Sequence, residues 1–147
     1  MLNDTRPTET AAVVAALDPQ SVVSGATVSS PWVSARDFAA FLAVVTAGAV
    51  TGTLSVKVQQ AKAADGTGTK DVPGAAITPM AAASSNKQAL INVRADHLDI
   101  NADFEFVRVT ATAAGGAALI SALLFGFAAR ELPASKAGAA SVVEIVG

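Results

Sequence analysis

The densest group of side chains capable of metal or acid–base chemistry is Asp96-His97-Leu98-Asp99-Ile100-Asn101-Ala102-Asp103-Phe104-Glu105. Asp99, Asn101, Asp103 and Glu105 alternate, so on a strand they share one face. A calcium loop places oxygens at its positions 1, 3 and 5, then needs a glycine at 6 and a bidentate glutamate at 12. Counted from Asp99, Phe104 stands where the glycine belongs and Thr110 where the glutamate belongs. The segment therefore reads as a solvated loop leading into a strand, with weak cation binding at 96–105 as the alternative. His97 lies among carboxylates, but no serine or cysteine partner accompanies it, and it reads as a surface histidine. Gly66-Thr67-Gly68-Thr69-Lys70-Asp71 has the composition of a phosphate loop without its spacing. A P-loop needs four residues between its glycines and Lys-Ser/Thr after the second, so these residues read as hairpin-tip chemistry.

Little else in the chain supports catalysis. There is no cysteine and one histidine, which excludes disulfides, thiolate nucleophiles, multi-histidine metal sites and Cys-ligated zinc or iron–sulfur centres. Tyrosine is absent as well. Acid–base and nucleophilic catalysis draw on those residues, so the expectation is a protein that is not an enzyme, with no catalytic, cofactor-binding or metal residues and no cofactor. Ten Lys+Arg against twelve Asp+Glu give a net charge of −2, without the basic footprint that nucleic acid requires. At 147 residues and 52% hydrophobic, the chain is long enough for one ordinary domain with a real core and too apolar for disorder.

Two stretches, 38–56 and 109–129, lack any charged side chain and match a helical membrane span of about 20 residues in length. Glycines divide each into shorter runs, β-branched residues favour strand, and no Lys/Arg cluster flanks either end. Membrane insertion is the weaker reading. The first ten residues mix Asp4, Arg6 and Glu9 ahead of any apolar run, which is not the order of a secretory signal.

The elements that must position these residues are short strands. Thr53–Gln60 alternates Leu54, Val56 and Val58 against Thr53, Ser55, Lys57 and Gln59, a half-buried strand. Phe38–Thr46 is apolar on both faces, and 47–52 reads as a hairpin connection carrying a bulge or short loop. Asp65-Gly66 marks a turn, and Pro73 confines 71–78 to an edge strand or a strand end. Lys87–Arg94 sets Ala89, Ile91 and Val93 against Gln88, Leu90, Asn92 and Arg94. Phe104–Thr112 and Ala118–Ala129 are further strands, Val22–Val33 holds one or two, Ala11–Leu17 is helix or strand, and Ser141–Val146 reads as a last short strand. About eight strands joined by turns predict a mainly β, single-domain antiparallel β-sandwich or jelly roll with little helix. Residues 1–20 form a possible N-terminal arm and 134–147 a possible C-terminal strand or arm.

The interface candidates are Trp32 and Arg36, residue types enriched at binding hot spots, together with Phe125 and Phe127 and with Val142, Val143 and Ile145 of the tail. Ala118–Ala129 is apolar on both faces, with Leu119, Leu123, Phe125 and Phe127 on one side and Ile120 and Leu124 on the other. A sandwich has one interior, so another chain or a terminal segment is expected to cover one of these faces.

The run FLAVVTAGAVTGTLSVKVQQA, the Asp65-Gly66 turn followed by Asp71-Val-Pro-Gly-Ala75, Phe106-Val-Arg-Val-Thr110 and the apolar strand ending near Pro133 resemble small virion proteins of tailed bacteriophages. The resemblance covers about two-thirds of the chain, and its motifs are structural. Phe106 stands where an aromatic tyrosine is common in these proteins, and the SVVEIV ending lies outside their pattern. They are similar to head decoration, or cement, proteins. The resemblance implies a non-enzymatic structural protein on the outer capsid surface, assembled in the host cytoplasm, that bridges neighbouring major capsid subunits. Its partners would be the major capsid protein and copies of itself, with a trimer favoured. The alternatives are a tail or head–tail connector component and, from a different class, a holin-type membrane protein using 38–56 and 109–129.

Overall fold

Period-two patterning becomes strand along most of the chain: the computed structural model describes residues 5–147, with 52% strand against 12% helix. A one-turn helix α1 (Pro7–Thr10) precedes β1 (Ala11–Val22). Then come β2 (Thr27–Ser29), β3 (Val33–Ser34), β4 (Phe38–Val50), β5 (Thr53–Ala61), β6 (Lys70–Ala76), β7 (Gln88–Arg94), β8 (Phe106–Ala114) and β9 (Ala118–Ala129). The strands form two antiparallel sheets, ordered β1-β9-β4-β7 and β2-β8-β5-β6, with β3 also paired to β8.

β2 and β3 lie along one edge of β8 and act as a single interrupted strand. Ser30 fills the gap: its amide donates to the Val109 carbonyl at 2.9 Å, and its hydroxyl accepts from the Val109 amide at 3.0 Å. Counted this way there are eight strands, with the first, eighth, third and sixth in one sheet and the second, seventh, fourth and fifth in the other. That order is the jelly roll, a double-sheet architecture built from two Greek keys.

Apart from the β2–β3 interruption, β5 and β6 are, among the described residues, the only consecutive strands that share a sheet. The segment 47–52 is therefore not a hairpin connection, as its glycines suggest: 47–50 complete β4, and Thr51-Gly52 cross from one sheet to the other. The β8–β9 connection at Gly115-Gly116 crosses back beside it. These two turns touch closely: a Cβ on Gly52 would lie 2.1 Å from the Ala114 carbonyl oxygen. Only glycine fits there. Pro73 lies in β6, an edge strand, where its missing N–H leaves no ladder bond unmade.

The core fills the space between the sheets. Leu54, Val56 and Val58 of β5, Val107 and Val109 of β8, Ile120 and Leu124 of β9, and Ile91 and Val93 of β7 are all buried. Phe38 and Phe41 meet edge to face at 6.0 Å. The Phe38 ring lies over Gly126, where a Cβ would come within 2.5 Å of it. This close approach explains a glycine in the middle of β9.

The termini and one loop differ from expectation. The segment 11–20 is not an arm but most of β1, an integral strand; residues 1–4 lie outside the described residues. Ser141–Val146 is not a strand: after a 3-10 turn at Ala134–Ala137 the tail runs without regular structure. Residues 95–105 hold two 3-10 turns, Ala95–His97 and Ile100–Ala102, so the carboxylates of 99–105 do not share a strand face. The uncharged stretches 38–56 and 109–129 fold as β4 with the start of β5 and as the end of β8 with β9. Among the described residues no helix is long and apolar enough to cross a membrane.

Candidate functional site

The two outward sheet faces divide the candidate residues between them. On the β1-β9-β4-β7 sheet, the outward positions form rows across all four strands. One row reads Leu90–Val44–Leu123–Ala16, the next Asn92–Leu42–Phe125–Val13, and a third Arg94–Ala40–Phe127–Ala11. Leu90 is 60% exposed, Leu119 47%, Leu123 41% and Phe127 39%. An antiparallel sheet with one face on the core normally turns its other face to water with polar side chains. Here the other face is largely aliphatic and aromatic. Phe125 and Phe127 stand side by side on it, their ring centroids 6.2 Å apart.

The apolar part of this face is bounded by the polar row Gln88–Thr46–Ser121 and by Asn92 and Arg94 of β7. Exposed apolar patches rimmed by polar residues mark interaction sites.

Among the described residues, the terminal segments cover the β1 border of this face and Phe125 of the neighbouring β9. The Ala139 amide donates to the Val13 carbonyl at 2.7 Å. From there the tail runs beside α1 over Val13 and Phe125, enclosing a groove of about 440 Å³ lined by Pro7, Thr8, Val142, Val143, Glu144 and Ile145 among others. Of the interface candidates, Phe125, Phe127, Val142, Val143 and Ile145 thus lie together on this side.

Trp32 and Arg36 do not join them. Trp32 belongs to the opposite sheet, where the Arg108 guanidinium stacks on its ring at 4.5 Å. Its indole packs so closely on the β5–β6 loop that a Cβ on Gly66 would lie 2.8 Å from its Nε1. It serves as a plug for that loop. Arg36 is exposed and pairs with Glu105 at 2.5 Å, holding the 95–105 loop to the β3–β4 connection.

The outward face of the β2-β8-β5-β6 sheet is polar and internally satisfied. Thr27 and Thr112 hydroxyls bond at 2.7 Å, Ser29 and Thr110 at 2.9 Å. Arg108 donates twice to Gln59 Oε1, at 3.1 and 2.9 Å, while Gln59 Nε2 and Lys57 Nζ both donate to Asp71. These two donors hold the Asp71 carboxyl below its ordinary pKa of 3.8, the Lys57 ammonium acting first. The Thr67 hydroxyl and amide do the same for Asp65 at the hairpin tip.

Among the described residues no group of three or more acidic or histidine side chains is arranged to hold a metal ion. The acidic loop spends its charges locally: Asp99 pairs with Lys70, Asp96 with Arg94 at 2.7 Å, and Glu105 with Arg36.

Leu42, Val44 and Leu90 belong to the apolar outward face although they were not among the candidates. The signal was present for Leu90, an apolar residue on an otherwise polar strand face. For β4 it was not, because a strand apolar on both sides reads as covered on both sides.

No family model and no curated protein matches this chain. Among solved structures it is similar to a chain in the structure of infectious bursal disease virus Gt strain, at 10% identity and a TM-score of 0.26. The match covers 87% of this chain and 44% of that one, so the chain spans less than half the length of that neighbour.

Proposed function

We propose that this chain is a non-enzymatic structural protein of a bacteriophage virion that decorates the outer capsid surface and cements neighbouring major capsid subunits. The carrying observation is the apolar outward face of β1-β9-β4-β7. A jelly roll needs only one interior, and here a second aliphatic surface is laid out on a rigid sheet. In this reading the rigid face supplies attachment by area, each clamp burying apolar surface at about 25 cal/mol per Å² before association costs.

Two further features support the reading. The motifs between 38 and 133 resemble phage head proteins, and jelly rolls recur in viral capsid domains as well as in lectins and cupins. The second is a fold-level analogy. The partners in this reading are the major capsid protein and other copies of this chain, with a trimer favoured, and assembly takes place in the host cytoplasm. A tail or head–tail connector role would use the same face at far fewer copies.

The test is stoichiometry. Quantitative mass spectrometry of purified particles should find this chain at hundreds of copies, in fixed ratio to the major capsid protein. A handful of copies would move the protein to the tail or connector, and absence from particles would overturn the reading.

A further inference from the structure

The C-terminal tail is a segment of strand-forming composition that, among the described residues, pairs with no strand. Ser141–Val146 (SVVEIV) is rich in β-branched residues, which favour strands, yet it has no regular structure and leaves Val143 99% and Val146 83% exposed. The local preference for strand and the observed conformation therefore disagree over these residues.

The same sheet has a vacant place for it. β1 and β7 are the two edges of β1-β9-β4-β7. The tail caps the β1 edge through the Ala139–Val13 bond. At the other edge, among the described residues, β7 pairs only with β4, leaving the template of unpaired N–H and C=O groups that an edge strand presents.

We infer that residues 141–146 of one copy add as a fifth strand to the β7 edge of a second copy, joining copies head to tail through strand exchange. The lengths agree, since six or seven residues span about 20–23 Å in either segment. The chemistry agrees too. Val143 and Ile145 form one side of the tail strand and can extend the buried Ile91–Val93 row, while Glu144 falls on the other side with Val142 and Val146. β7 carries a single charge, Arg94, on its outward side, where it already pairs with Asp96 at 2.7 Å, and Glu144 is the single charge of the tail.

The tail meets its own sheet at the β1 edge through Ala139, and 142–145 lie back over Val13 and Phe125. In copies arranged side by side, releasing this segment from its own groove brings it next to the neighbour's β7. A head-to-tail contact of this kind makes a ring if its rotation closes and a filament if it does not. This inference names how copies meet and rests on the self-association part of the proposed function.

The absence of native cysteine makes cross-linking specific. Full-length chains carrying Glu144→Cys are mixed with chains carrying Leu90→Cys, Asn92→Cys or Arg94→Cys and oxidised, with Ala11→Cys placed beside Glu144→Cys in one chain as the self-capping control. At least one β7 position should give a disulfide between chains. Removing 141–147 should convert the oligomer to monomer by light scattering, and a peptide of residues 139–147 should bind the truncated chain. If truncation disturbs the circular dichroism spectrum, the full-length double substitution Val143→Asp with Ile145→Asp carries the same expectation. A full chain that is monomeric at about 100 µM, a truncated chain that keeps its oligomeric state, or cross-links formed only within the Ala11→Cys control would overturn the inference. Capsid incorporation is scored separately. Particles that load the chain without tail cross-links overturn this inference alone, and cross-links without loading overturn the virion reading alone.

Discussion

The outward faces of the two sheets are built on the same backbone plan, yet one is aliphatic and the other is a hydrogen-bonded lattice. On β8 and β5, outward Thr110, Thr112, Lys57 and Gln59 bond to neighbours across the strands. On β9 and β4, the equivalent places hold Leu123, Phe125, Phe127, Leu42 and Val44, which can satisfy nothing in water. A polar outward face is complete in a single copy, whereas an aliphatic one of this extent lowers its free energy by meeting another surface. The jelly roll thus carries one polar, hydrogen-bonded side and one largely apolar side, the side that the proposed function uses for attachment.

The sharpest way to break this comparison uses two consecutive leucines of β9. Leu124 is 1% exposed and Leu123 is 41% exposed. Leu124→Ala should cost about 3 kcal/mol in guanidinium unfolding, from lost burial plus the cavity left behind. Leu123→Ala should cost under about 1 kcal/mol in the dissociated chain. Equal costs would mean that the outward face is already covered within one copy, and the contrast between the sheets would fall.

A charge on each outward face sharpens the comparison. Leu123→Lys should leave the folded spectrum intact and weaken self-association or particle binding by about tenfold or more, roughly 1.4 kcal/mol. Ser55→Lys, placed outward on β5, should change neither. Sedimentation velocity across a dilution series separates these outcomes, and equal losses would show that the polar sheet also makes contacts.

The smallest effect is expected in acid and only on the polar side. The Asp65 and Asp71 carboxyls are held below 3.8 in the folded state. Their contribution is therefore present above the ordinary carboxylate pKa and is lost as pH falls through the lower folded values. Hydrogen exchange below about pH 3.8 should accelerate in the β5–β6 hairpin before it does in β4 and β9, and Asp71→Asn should remove much of that pH dependence. Acceleration of both sheets together would mean that these carboxylates do not support the hairpin selectively.

Alternation and composition by themselves determined the β class, the inward sets Leu54/Val56/Val58 and Ile91/Val93, the confinement of Pro73 to an edge strand or a strand end, and the two apolar sides of Ala118–Ala129. They did so because side chains on a strand point alternately to two sides, so burial leaves a period-two trace in the sequence. Tertiary structure alone decided that Thr51-Gly52 cross between sheets, since a glycine-rich connector looks the same whether its flanking strands pair or oppose. It decided that Trp32 and Arg36 lie apart from Phe125 and Phe127, because strands distant in sequence are ordered by the jelly-roll winding. It decided as well that Leu42 and Val44 face outward beside Leu123. A strand apolar on both sides carries no mark of which side meets the core, and only the partner sheet, lying across one face of β4 and not the other, settles it.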